Sequence, residues 1–181
     1  MIMYFDTETN GIGTFHPVKQ RLVELGWILG NKQEKYLIND VKDINMKDVP
    51  HNISVKDCEE KGESFDYVYE KFFNDLQKAV TIVGHNLEFD LHVMKHELIM
   101  RGYKRKAREY NNFIAKNLDK CVCTMKESVN LCKLESLNKN YYKYPNLSEL
   151  YEHFYKCEPS LEKHDALNDC IITKMCYEKM K

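Results

Sequence analysis

At 181 residues the chain has the length of one ordinary domain, and 43% hydrophobic with 30% charged residues suits a globular protein with a full core. No apolar run is long enough to cross a membrane, and the N-terminus has neither the basic leader nor the apolar stretch of a signal peptide, so a membrane role and export are not expected. A formal net charge of -1 excludes a sequence-independent nucleic-acid coat, whose affinity would come from neutralising phosphates along a strand.

The elements are expected in this order. Met1 to Phe5 forms a strand that delivers Asp6 to its end, and Asn10-Gly11-Ile12-Gly13 is a turn signal. Arg21 to Gly30 is a second strand, Gly30-Asn31 a hairpin turn, and Glu34 to Asn39 a third strand, so the sheet begins antiparallel. Ser54 caps a short helix that ends at Gly62. Phe65, Val68, Phe72 and Leu76 recur at helical spacing and predict an amphipathic helix over 64 to 79. Ala79 to Val83 is a short buried strand. Leu87, Leu91, Met94 and Leu98 mark a long helix that stops near Gly102, Cys121 to Thr124 a last strand, and Leu147 to Phe154 and Ala166 to Tyr177 the closing helices. Residues 103 to 117 and 132 to 145 are basic or polar and are expected as surface loops or irregular helices. With no repeat and no linker, residues 1–181 form a single α/β domain, a mixed sheet covered by helices.

Carboxylates stand at three of these element ends. Asp6 and Glu8, in FDTETNG, are two residues apart and so share one face of an extended segment. Asp90 opens the helix after the buried strand TIVG, framed by Val83, Gly84 and Phe89. Asp169 lies one turn into the last helix among Leu167, Cys170 and Ile171, with His164 near that helix's start. Each is weak alone: a strand end, an acid at a helix dipole, a cap. Together they could place several carboxylates at one point, as a pair of hard divalent cations requires. Histidine suits a general base near neutral pH.

FDTETNG, HNLEFD and HDALND, in that order and spacing, resemble the three motifs of the DEDDh 3′–5′ exonucleases, a family that includes the proofreading subunit of bacterial replicative DNA polymerase. ISVKDCEEKGESFDYVYEKFF and PNLSELYEHF resemble its intervening segments, so the likeness spans nearly the whole chain. The resemblance implies a ribonuclease H-like fold with three antiparallel strands followed by parallel ones. It implies two Mg²⁺ or Mn²⁺ ions held by Asp6, Glu8, Asp90 and Asp169, with His164 as the base. Thr7, Thr9 and Asn86 would lie near the substrate. The implied substrate is the 3′ end of DNA or RNA, expected single-stranded, released as nucleoside 5′-monophosphates. A polymerase or another replication or repair protein is a possible partner. Asn10 stands where the family often has Thr. The rival readings are a non-catalytic nucleic-acid-binding or polymerase-associated module on the same fold, and a phosphodiesterase confined to short oligonucleotides.

Other features are read plainly. Seven scattered cysteines without an export signal imply free thiols and a cytoplasmic setting, and Cys121-x-Cys123 is too tight for a structural zinc pair. Lys104-Arg105-Lys106-Ala107-Arg108 is a candidate phosphate-steering patch, although a charge run is more often a solvated face. Tyr141, Tyr142 and Tyr144, interleaved with Lys139 and Lys143, either stack on bases or pack an insertion against the sheet. His51, His92 and His96 are expected on the surface, and Trp27 in the core.

Overall fold

The computed structural model describes residues 1–11, 20–45, 47, 49–137 and 141–181. Strands β1 (Ile2–Thr9), β2 (Leu22–Leu29) and β3 (Lys32–Leu37) form an antiparallel meander, and β4 (Thr81–Gly84) and β5 (Cys121–Cys123) extend the sheet parallel to β1. The order β3-β2-β1-β4-β5 puts β1 in the centre. The hairpin turns at Gly30-Asn31 as expected, with Gly30 at φ +63, a conformation side chains resist. The first strand is longer than its apolar residues suggested. Pairing with β2 continues to Thr9, so Asp6 and Glu8 sit within the strand. Of the predicted Asn10–Gly13 turn, Ile12 and Gly13 lie outside the described residues, as does Lys139.

Helices α1 (Val55–Lys61) and α2 (Phe65–Leu76) cross from β3 to β4, and α3 (Leu87–Met100) and α4 (Lys104–Lys116) from β4 to β5. Short helices α5 (Thr124–Glu127) and α6 (Val129–Cys132) precede α7 (Leu147–Tyr155) and α8 (Ala166–Met180). Local signals set the starts. Ser54 with Asp57, and Asn146 with Glu149, form reciprocal capping boxes, and Asp165 caps α8 by accepting from Leu167 and Asn168 N–H.

The stretch expected as loop or irregular helix at 103–117 is instead the regular helix α4. Ala107 and Tyr110 are buried, and Phe113 and Ile114 pack against the same core, a narrow stripe hidden among charged neighbours. The basic cluster there is largely engaged. Lys106 lies 2.5 Å from Asp66 and 2.6 Å from Glu70 and over the rings of Tyr69 and Tyr103, while Arg105 pairs with Glu109. Lys106 thus fastens α4 to α2.

Alternation along β1 and β2 gives the sheet two different faces. Met3, Phe5, Leu25 and Trp27 face the larger core beneath α1 to α4, where Trp27 is wholly buried and its Nε1–H donates to Asp75 at 3.1 Å. Tyr4 and Ile28 face α8 through Val83 and Cys170. The helix comes this close because Gly26 has no side chain: a Cβ there would lie 2.6 Å from Ala166 C and Leu167 N. Gly26→Ala is therefore expected to destabilise the protein by about 1–3 kcal/mol through overpacking. A denaturant midpoint equal to that of the unsubstituted protein would show that α8 is not held this tightly.

Candidate active site

The same alternation sorts the carboxylates. Asp6 and Glu8 share the α8 face with Tyr4, and Asp6 pairs in register with Gly26, Glu8 with Glu24. Asp169, in the first turn of α8, reaches this face. One ligand atom from each of Glu8, His164 and Asp169 lies within 4.8 Å of the others. Among the described residues this is the one group of three or more His, Cys, Asp or Glu side chains close enough to share an ion.

Asp90 comes from the other side, on the first turn of α3. Its Oδ1 accepts from Thr7 N–H at 3.0 Å and from Thr7 Oγ1–H at 2.7 Å, so the residue between Asp6 and Glu8 clamps the third acid. Hydrogen bonds to a charged acceptor contribute about 1.5–3 kcal/mol each. The far end of α3 is fixed by Glu97, which is wholly buried and accepts from Arg21, Arg101 and Leu22 N–H.

The four acids strain one another electrostatically. Burial first, then the charges of Asp90, Asp169, Glu8 and Glu24, push the Asp6 pKa well above its ordinary value. Burial followed by Asp169 pushes Glu8 up to about 8. Burial also raises Asp90 and Asp169, against the opposing hydrogen bonds from Thr7 and from the His164 backbone. Among the described residues no Lys or Arg forms an ion pair with any of the four. A buried carboxylate cluster without a protein cation has a donor set of hard oxygens and an excess of negative charge, which fits Mg²⁺ or Mn²⁺. His164 is exposed and at φ +61, before the start of α8. Partial burial, then the nearby His51 and Lys163, hold its pKa below the ordinary 6.5.

Thr7 and Thr9 are buried beside the acids, and Thr9 Oγ1–H donates to Gly11 C=O at 3.1 Å. Asn86 is exposed at the N-cap of α3 with φ +70, and its side chain caps nothing. Asn10 accepts from Arg21 N–H at 2.7 Å and donates to Asp43 C=O at 3.2 Å, so it braces the chain beyond β1.

Sequence reasoning missed two supports. His51, expected on the surface, is 2% exposed. Its Nε2–H donates to Thr9 C=O at 2.8 Å and its Nδ1 accepts from Ile53 N–H at 3.2 Å, tying the start of α1 to the end of β1. His92 is exposed as expected, and His96 is half-buried, with Nε2 unpartnered. The second support is Glu24, 3% exposed, which accepts from Ala166 N–H at 2.8 Å and lies 3.8 Å from Lys35. Lys35 also bonds Asp165, the cap of α8. Glu24 and Lys35 thereby fix the helix end that carries Asp169. A lone acid inside the apolar run LVELGWIL was the available signal. All seven cysteines are free thiols, as expected.

The model of the 3'-5' exonuclease family matches residues 2–181. No curated protein sequence matches the chain. Among solved structures, cell-death related nuclease 4 (CRN-4) superposes with a TM-score of 0.59 at 12% identity over 99% of this chain and 62% of that one. The chain thus spans less than two thirds of that nuclease. A chain in the structure of the yeast NOT1 MIF4G domain co-crystallised with CAF1 superposes with a TM-score of 0.61 at 11% identity, over 99% of this chain and 78% of that one. The shared architecture is the ribonuclease H-like nuclease fold.

A carboxylate whose pKa is raised on folding holds its proton in the native state while the unfolded chain releases it, so native stability falls as pH rises between the two values. For Glu8 that window runs from 4.5 to about 8. The metal-free protein should therefore melt at a lower temperature at pH 8 than at pH 5, and millimolar Mg²⁺ should reverse the loss at pH 8. A flat pH profile, or one steepened by Mg²⁺, contradicts this picture. Glu24→Ala should cost about 1–3 kcal/mol by leaving Ala166 N–H unpaired, and Glu24→Gln, which keeps an acceptor, should cost less; equal losses in chemical denaturation would mean that this bond does not hold α8.

Proposed function

Since the chain belongs to the 3′–5′ exonuclease family, we propose that it cuts nucleic acid by a two-metal mechanism, as a DEDDh enzyme that releases nucleoside 5′-monophosphates from a 3′ end. The observation that carries this reading is the cluster of Glu8 and Asp90, both buried, with the half-buried Asp6 and Asp169, which among the described residues have no protein cation paired to them. Those four side chains would hold the ions. Once bound, a pair of divalent ions supplies Lewis acidity toward the phosphate, the attacking water and the leaving 3′ oxygen.

The protein's own groups have separate tasks. Thr7 holds Asp90 by two hydrogen bonds to one oxygen, which leaves the other for a ligand. Glu24 and Asp165 hold the start of α8, so Asp169 meets β1 in a fixed position. His164 has its pKa held down by partial burial, His51 and Lys163, which favours the neutral form, and it is assigned as the base that takes the proton of the attacking water. The pentavalent phosphate gains negative charge, and an acid cluster alone would repel it. Asp6, Glu8, Asp90 and Asp169 would therefore act by holding the cations, whose opposing charge would supply electrostatic stabilisation of the transition state. Thr9 and Asn86 lie on either side of the acids and are assigned to the terminal nucleotide. Nucleic acid, preferably a single strand, is the substrate.

A 5′-labelled single strand incubated with the protein and Mg²⁺ should shorten as a stepwise ladder. Asp6→Ala and Asp90→Ala should nearly abolish turnover, and His164→Ala should lower kcat by about 10²–10⁴ with the acid limb of the pH profile removed. A strand left intact in both Mg²⁺ and Mn²⁺ contradicts the reading. Full activity in His164→Ala would remove the histidine from the mechanism.

A further inference from the structure

Tyr141, Tyr142 and Tyr144 are 71%, 47% and 58% exposed. They do not pack an insertion against the sheet, and among the described residues none of their rings meets another aromatic ring. Exposing three large rings within four residues is costly in water unless something covers them. The segment is nevertheless held in place. Lys143 N–H donates to Leu134 C=O at 2.9 Å, and Glu135 and Tyr142 form an antiparallel bridge. Pro145 is buried, and its C=O accepts from His85 Nε2–H at 3.1 Å, while His85 Nδ1 lies 3.0 Å from Thr124 Oγ1.

His85 follows Gly84, the last residue of β4, and stands just ahead of the helix that carries Asp90. The tyrosine strap is therefore pinned at the carboxyl edge of the parallel strands, the edge where Asp6, Glu8 and Asp90 also lie. It occupies the β4–β5 side of the acids. The opposite side, toward β2 and β3, holds a bounded cavity of about 220 Å³ lined by Glu24, Lys35, Asn52, Ile53 and His164.

Lysines accompany the rings. Lys126 pairs with Glu88 at 2.5 Å and lies near Tyr144; Lys143 pairs with Glu149 at 2.5 Å. Both pairs are exposed, so they are weak and exchange readily for phosphate. Lys133 is exposed with no ion-pair partner among the described residues. Exposed rings interleaved with lysines form a stacking platform that any unpaired base can use, whereas bases stacked within a duplex offer no free face to it.

We propose that Tyr141, Tyr142 and Tyr144, with Lys126, Lys133 and Lys143, bind single-stranded nucleic acid on the 5′ side of the cleaved bond. The proposal rests on the exonuclease reading above and assigns that enzyme its substrate class. The strap is pinned beyond the carboxyl ends of β4 and β5 through His85, Thr124 and Pro145, and nucleotides upstream of a 3′ end at the acids would meet it there.

The test compares kcat/KM on an unstructured decanucleotide with that on a dinucleotide, for the wild type and for Y141A/Y144A. Melting temperatures should match, since both rings are exposed. The wild type should prefer the longer strand at least about thirtyfold, and the double variant should lose about thirtyfold of that preference, the low end for two stacked bases. On a blunt duplex the variant should stay close to wild type. An unchanged length preference overturns the proposal and leaves the rings to a protein partner. An equal loss on the duplex overturns the single-strand assignment. A wild type inactive on both lengths fails the exonuclease reading itself, a result distinct from failure of the strap.

Discussion

Negative charge gathered at the end of the central strand, with no protein counter-ion among the described residues, is the constraint on which the rest of the structure depends. Asp6, Glu8, Asp90 and Asp169 come from three elements, and each raises the cost of ionising its neighbours. Nothing in such an arrangement stabilises the fold by itself. It persists because each acid is fixed from outside the four: Thr7 for Asp90, the strand backbone for Asp6 and Glu8, the Glu24–Ala166 bond for the helix of Asp169. Under the proposed function, cations bound at this point would relieve the repulsion and supply the Lewis acidity, so binding and catalysis would share one source of free energy.

The scaffold divides the work between its two faces. The larger core, under α1 to α4, is packed with Trp27, Phe72, Phe5 and Leu76 and supplies most of the buried apolar surface. The α8 face is thin and polar near its end, and it stays close only because Gly26 removes a side chain from the contact. Rigidity is therefore bought on one face and function placed on the other. A net charge of -1 fits this division: the protein does not attract nucleic acid as a whole, and local groups at the sheet edge must do so.

Much of this was legible in the sequence, and the gaps have physical causes. The hairpin at Gly30 and the cap at Ser54 depend on neighbours a few residues away, and they appear where the sequence placed them. Glu24 acts on a partner 142 residues distant, and His51 on one 42 residues distant, so no local pattern names either partner, although the lone acid in LVELGWIL marks Glu24 itself. The helix α4 was hidden for another reason. Only Ala107, Tyr110, Phe113 and Ile114 face inward, and the charged residues between them dominate the composition. The end of β1 lies beyond the apolar run: polar residues seldom continue a central strand, whereas Thr7, Glu8 and Thr9 do so here.

The central claim is that these four carboxylates together hold a pair of divalent cations. Titration of the metal-free protein with Mn²⁺ in the presence of a nucleoside 5′-monophosphate, followed by electron paramagnetic resonance of the free ion, measures it directly. The account predicts two ions taken up per chain, with Asp6→Asn losing at least one of them while the fold is kept. Retention of full Mn²⁺ uptake in Asp6→Asn, or no uptake by the wild type, would contradict it.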